Sequence, residues 1–339
     1  MSKPGFPLPW LVAVLLSAPA FSIAEQLDVM PPKTVQECID TSVRDADPSL
    51  TIGEIRANCE PVQTPPEGEA PRVTEREEME KRSEWNPYVI TPHKQNYILP
   101  ITYMDEPNNE VYSIEDDADV MKNEEAKLQI SLKVPLVEPG LLLPDDSLHF
   151  GFTLQSYWQV YNHDISAPFR ETNYQPEFFY TVPFKVHASG SQTLLQFGIE
   201  HQSNGRSQLL SRSWNRIYTQ IFYAKDDYLI SFRPWYRIPE DPKDDPLDPN
   251  GDDNPDIDDY MGYFELTGAW KWKQLEVSVM GRNNLRSENY GALELGLSFP
   301  LSGRLRGYAQ YFNGYGESLI DYNYRNERIG VGVLLTGVL

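Results

Sequence analysis

The feature that most constrains this chain is a sustained alternation of apolar and polar residues. Leu128, Ile130, Leu132, Val134 and Leu136 share one parity, while Lys127, Gln129, Ser131 and Lys133 take the other. Leu148, Phe150, Phe152, Leu154, Trp158 and Val160 alternate in the same way with His149, Thr153, Gln155, Tyr157 and Gln159. The pattern returns at Leu275/Val277/Val279, Leu293/Leu295/Leu297/Phe299 and Ile329/Val331/Val333/Leu335. Successive side chains of a strand point to opposite faces, so these segments are strands with one apolar and one polar face.

A soluble sandwich alternates too, but its strands are typically about five or six residues long. Several segments here run to ten or more. Their polar faces carry Lys133, Glu200, Arg233, Arg237, Glu265, Lys271, Glu294, Arg304 and Arg306, which suits a hydrated interior. About twelve such segments are legible, starting near residues 93, 126, 147, 174, 192, 213, 227, 260, 273, 288, 302 and 325. The expected fold is therefore all-β, a twelve-stranded antiparallel transmembrane barrel with both ends in the periplasm. Mean hydropathy is −0.50, and beyond residue 24 no apolar run approaches the ~20 residues a membrane helix needs. That excludes a helical membrane protein. The charge balance, 50 Asp+Glu against 29 Lys+Arg, excludes a nucleic-acid partner.

Upstream of the barrel the character changes. Lys3, the apolar stretch Phe6 to Ala20 and the small residues of Ser22-Ile23-Ala24 read as a secretory signal peptide covering residues 1–24. Residues 25–92 are rich in Pro, Glu and Arg and read as a partly helical or disordered periplasmic extension. Cys38 and Cys59 are the only cysteines, and in an oxidising compartment such a pair is expected to form a disulfide. The barrel domain then occupies residues 93–339. Its longest connector, Pro239 to Asp259, holds ten acidic residues between Glu240 and Asp259 and reads as a solvated loop. It lacks the ligand spacing of an EF-hand.

One segment breaks the barrel's own logic. Counting by twos along Leu195, Phe197 and Ile199 carries the apolar row onto His201 and Ser203. A barrel has no structural reason to aim histidine and serine at hydrocarbon, where unpaired polar groups are costly. On the next strand Asn215 shares a face with Ile217, Thr219 and Ile221, which sets it beside His201 in an antiparallel pair. Read as chemistry, Ser203 is a nucleophile, His201 its base and Asn215 the group that holds the imidazole. A neutral Asn avoids desolvating a carboxylate. Backbone amides of the turn from Ser203 to Gly205 would receive the oxyanion. Read as structure alone, Ser-Asn-Gly is a turn and His201 an interfacial residue.

The segment His201 to Tyr218, HQSNGRSQLLSRSWNRIY, resembles the active-site hairpin of the outer membrane phospholipase A family. So do residues Pro168 to Tyr174, Asp253 to Ile257 and Tyr315 to Asn323, in the same order along the chain. The likeness runs from about residue 93 to the end and does not cover 25–92. It implies a twelve-stranded barrel in the outer membrane of a Gram-negative bacterium. It further implies calcium-dependent hydrolysis of phospholipid acyl esters (phospholipase A1, A2 and lysophospholipase activity) by a homodimer. The family's nucleophile, base and orienting Asn fall on Ser203, His201 and Asn215, with Gly205 in the oxyanion turn. Its Ca2+ ligands fall on the Arg206 carbonyl and the Ser211 hydroxyl, with Ser166 supplied by the other protomer. Gln208 stands where the family can carry an Asp for a second calcium position. The rival readings are a passive pore and a soluble exported sandwich with a binding role.

Overall fold

The computed structural model describes residues 80, 90–112, 121–137, 139–184, 191–245, 247, 248, 250–303 and 305–339. The signal peptide, the Cys38–Cys59 pairing and the helical pieces expected in the extension lie outside the described residues. The strands are β1 (Thr91–Pro92), β2 (Asn96–Met104), β3 (Glu124–Val137), β4 (Ser147–Trp158), β5 (Phe169–Phe184), β6 (Ser191–Ser203) and β7 (Ser213–Lys225). They continue as β8 (Tyr228–Ile238), β9 (Phe264–Trp272), β10 (Leu275–Asn283), β11 (Gly291–Ser302), β12 (Leu305–Tyr315) and β13 (Arg325–Thr336). Each long strand pairs antiparallel with its sequence neighbours, and β13 pairs with β2, so twelve strands close into a barrel. The two residues of β1 pair with Leu132 and Lys133 of β3, extending the line of β2.

The barrel is inverted relative to a soluble protein. Phe178, Phe197, Ile199, Ile217, Trp270, Leu293 and Ile329 all point outward and are exposed. A belt of this kind, on strands of nine to sixteen residues, is what spanning a bilayer requires. The inward positions carry charge instead. Glu125 receives Arg170 Nε and Nη2, both at 3.0 Å, and Arg328 Nη2 at 2.7 Å. Glu317 accepts from Arg328 Nε at 2.8 Å and from Lys127 Nζ at 3.0 Å. Lower in the lumen, Arg216 and Arg233 both pair with Glu200, while His93 and Lys94 reach Glu177. Ions this deeply buried persist only when paired and hydrogen-bonded.

The two ends differ. One carries tight turns, such as the two residues Asp226 and Asp227 between β7 and β8. At the other end the long connectors fold inward. Trp214, Trp235, Ile257, Met261, Leu319 and Tyr322 form an apolar cluster across the mouth. Beneath it a cavity of about 480 Å3 remains, lined by Gln129, Gln155, Gln196, Gln220, Arg233 and Glu265 among others. A lumen cross-linked by ion pairs and roofed by aromatic rings is not built as a passive pore.

Two strand starts differ from the parity count by more than three residues. The strand expected near 174 begins at Phe169, because β5 opens on a bulge: Trp158 pairs with Phe169 but Tyr157 with Glu171. The extra residue lets Arg170 and Glu171 both turn inward, at 1% and 0% exposure, which destroys the local alternation. The strand expected near 260 begins at Phe264, because residues Ile257–Met261 form a short helix ended by Gly262.

Candidate active site

The hairpin β6–β7 pairs His201 with Asn215 and Ser203 with Ser213. Along β6 the exposed Phe197 and Ile199 precede His201 and Ser203 on the outer wall, while Glu200 is buried inside. Asn215 stands two residues before the exposed Ile217, on the same wall. His201 Nδ1 and Asn215 Oδ1 lie 2.9 Å apart. Ser203 is two residues further along that face, roughly 7 Å from His201 between Cα atoms, given the rise of an extended strand. On its other side it is paired with Tyr174 of β5, whose ring is exposed on the same wall. All three polar side chains are half-buried. An imidazole, a hydroxyl and an amide are thus gathered among apolar neighbours.

The connector after Ser203 is organised by one buried side chain. Asn204 Oδ1 accepts the backbone N–H groups of Arg206 (3.2 Å) and Arg212 (3.0 Å), and its Nδ2 donates to the Leu210 carbonyl at 2.8 Å. Its own N–H donates to the Arg212 carbonyl at 3.0 Å. Gly205 has φ of +66°, and a Cβ there would sit 3.2 Å from the Tyr174 ring. Both the left-handed backbone and the close approach call for glycine. Trp214, fully buried, anchors the start of β7 by donating Nε1 to Gln202 Oε1 at 2.9 Å.

Arg206 and Ser211 share this connector. Ser211 Oγ donates to Asp253 Oδ2 at 2.7 Å, Ser213 Oγ donates to the same oxygen at 3.2 Å, and Lys243 Nζ sits 2.6 Å from Asp253 Oδ1. Asn254 Oδ1 accepts the Ser213 N–H at 3.1 Å. Ser166 stands on a different connector at the same end of the barrel, exposed and with φ of +65°. Among the described residues no cluster of three His, Cys, Asp or Glu could hold a metal. The donors gathered here are hydroxyl, carbonyl and carboxylate oxygens, a set that fits a hard cation such as Ca2+ and suits neither zinc nor copper.

Two residues at this site escaped sequence reasoning. Asp253 gives the Ser211 region a carboxylate where the expected ligands were neutral. The acidic connector is accordingly not simply solvated. Arg237 Nη2 donates to both carboxylate oxygens of Asp252, at 2.6 and 2.7 Å, which ties the loop to β8, and Tyr322 Oη donates to Asp256 at 2.5 Å, which ties it to a second connector. The second is Glu240, whose Oε1 accepts from Asn215 Nδ2 at 2.9 Å. Its signal was parity: Ile238 pairs with Asn215, and Glu240 is the next residue of that face.

Comparison with known proteins bears on the whole barrel. The family model described as Phospholipase A1 matches residues 73–335. The Phospholipase A1 of Escherichia coli strain K12 is 40% identical over 252 residues, spanning 74% of this chain and 82% of that protein. That of Klebsiella pneumoniae is 38% identical over 252 residues, spanning 74% and 83%. Among solved structures, an asparagine-to-alanine active-site mutant of outer membrane phospholipase A from Escherichia coli superposes with a TM-score of 0.69 at 38% identity, covering 75% of this chain and 95% of that one. The Salmonella typhi outer membrane phospholipase dimer with bound calcium gives 0.68 at 38% identity, covering 75% and 95%.

Proposed function

The chain belongs to the phospholipase A1 family, and from that premise we propose that its lipid-facing hairpin is the site of a calcium-dependent phospholipid hydrolase. It is an outer-membrane barrel and an ester hydrolase of phospholipids. The finer reading assigns the chemistry to Ser203, His201 and Asn215. The observation that carries it is the 2.9 Å contact of His201 Nδ1 with Asn215 Oδ1, made on the outer wall beside Ser203. With Nδ1 engaged, Nε2 is the ring nitrogen left to take the Ser203 proton as Oγ attacks the acyl carbonyl. The same proton then goes to the departing alcohol, and water repeats the sequence on the acyl-enzyme. The Gly205 amide, in the turn that Asn204 holds, faces the developing oxyanion.

The Arg206 carbonyl and the Ser211 hydroxyl would hold Ca2+, with Ser166 of the partner subunit completing the set in a homodimer. When bound, the ion supplies positive charge beside the oxyanion. Because the site opens on the wall of the barrel, acyl chains need not leave the apolar phase to reach it. That supports action on either glycerol ester and on lysophospholipids. Export by the 1–24 leader and a Cys38–Cys59 bridge belong to the same reading.

Chelation tests it. In phospholipid–detergent micelles, excess chelator is expected to lower turnover by about 10²- to 10³-fold, the usual loss when one oxyanion stabiliser is removed. Added Ca2+ should restore the parent rate. Equal turnover with and without chelator would exclude the metal assignment.

A further inference from the structure

Asn215 is held from both ends. Its Nδ2 donates to Glu240 Oε1 at 2.9 Å, and its Oδ1 faces His201 Nδ1 at 2.9 Å. Glu240 is half-buried, two residues beyond Ile238, which pairs with Asn215 across β7 and β8. An ionised carboxylate only accepts hydrogen bonds, whereas a carboxamide offers a donor end and an acceptor end. The two ends of an Asn side chain have nearly the same shape, so packing alone orients them weakly. Glu240 removes the ambiguity. The amide nitrogen must face the carboxylate, so the oxygen must face the ring, and an oxygen there requires the proton on Nδ1. Nε2 is then bare. Flipping the amide would set oxygen against carboxylate and an N–H donor against Nδ1. The imidazole would carry its proton on Nε2, where no lone pair remains for the Ser203 proton.

We infer that Glu240 is a positioning residue of the hydrolytic site, fixing the Asn215 amide and through it the Nδ1–H tautomer of His201. The inference rests on the Ser203–His201–Asn215 reading. It makes the array a relay of four, Ser203, His201, Asn215 and Glu240, with the anion one side chain further from the imidazole than in a Ser-His-Asp site. It also accounts for a neutral third member. The hairpin row lies on the apolar wall, while Glu240 sits where β8 has ended and the polar connector begins. The charge is kept near water, and the amide dipole carries its orienting effect inward.

The test uses full-length protein assembled in detergent micelles with Ca2+ and a short-chain phosphatidylcholine, with kcat and KM measured separately. Glu240→Gln is expected to lower kcat by about ten- to a hundredfold, the size of a lost charge-assisted hydrogen bond, with KM little changed. Asn215→Asp alone should be impaired at least as much, because two carboxylates would face each other. The double variant, Asn215→Asp with Glu240→Gln, should recover at least tenfold over Asn215→Asp, since the carboxamide introduced at position 240 can donate to the carboxylate introduced at 215. A merely structural role would give additive losses instead. The 15N shifts of the His201 ring supply a readout independent of turnover. They should report the Nδ1-protonated tautomer in the parent and a mixture in Glu240→Gln. Parent-like kcat in Glu240→Gln, or a double variant no better than the product of its singles, would overturn the proposal. Asn215→Ala separates the two levels. If it keeps full activity, the underlying triad is wrong; if it fails while Glu240 variants do not, only the role of Glu240 is lost.

Discussion

Ser203→Ala is expected to lower phospholipid turnover by about 10³- to 10⁶-fold while leaving the barrel folded. The hydroxyl is half-exposed on the outer wall, and its removal leaves the Ser203–Ser213 and Ser203–Tyr174 ladder pairs in place. It lies on the outer wall, on the face opposite the lumenal Glu200. The loss is therefore chemical. His201→Ala should cost a similar factor, and the double variant should be no worse than either single one, because a nucleophile without its base and a base without its nucleophile fail at the same step. Residual turnover would come from the oxyanion turn and lipid binding. The measurement is steady-state fatty-acid release, with far-UV circular dichroism to confirm the strands. A Ser203→Ala protein that is folded and retains more than about a hundredth of parent turnover would end the assignment, since a true nucleophile should cost well over about 10².

Much of this was legible from side-chain parity. The period-two pattern identified the strands, separated lipid-facing Leu and Phe from lumenal Lys and Glu, and put His201, Ser203 and Asn215 on one wall. What stayed hidden shares a physical cause. Parity describes a regular strand, and Arg170 with Glu171 sits on a bulge where two neighbours face the same way. The roof over the lumen depends on Trp214 of β7 meeting Ile257, Leu319 and Tyr322 from distant connectors, which no local pattern encodes. Glu240 and Asp253 belong to a long acidic loop whose composition reads as solvent-facing. Their roles arise from return contacts to Asn215 and Ser211, about 25 and 42 residues away in sequence.

These hidden contacts connect the lumen to the wall. Glu171, buried behind the site, has Oε2 3.5 Å from Asn204 Nδ2, and its Oε1 accepts from Asn173 at 2.6 Å. Arg206 Nη2 donates to the Arg170 carbonyl at 2.6 Å. The connector that carries Gly205, Arg206 and Ser211 is thus pinned to the first residues of β5. Those residues are themselves set by ion pairs inside the barrel. A rigid interior is what lets an outward-facing turn keep its geometry beside fluid lipid.

Glu125→Ala is therefore expected to destabilise the barrel by about 3–5 kcal/mol, the cost of stripping one partner from a buried pair. The carboxylate is fully buried and accepts from Arg170, from Arg328 and from Gln159 Nε2 at 3.0 Å. Without it Arg170 keeps Asp321 Oδ2 at 2.8 Å, and Arg328 keeps Glu317, but two guanidiniums then face each other across an empty acceptor. A lower midpoint of denaturant unfolding in micelles would show it. Turnover should fall as well, because Arg170 supports the Arg206 connector. Acid acts on the same network from the other side. Burial by itself would raise the Glu317 carboxyl, but Arg328 and Lys127 hold it below the usual carboxylate range. Its folded value is depressed, so its stabilisation is present above the unfolded value of about 4.3 and drains away as pH falls below that. Glu317 is present in both proteins, so the unfolding midpoints of parent and Glu125→Ala should both fall as the medium becomes strongly acidic. If Glu125→Ala unfolds with the parent near neutral pH, the lumenal charges are not what holds the wall, and the stiffness of the hairpin must come from the strand ladder alone.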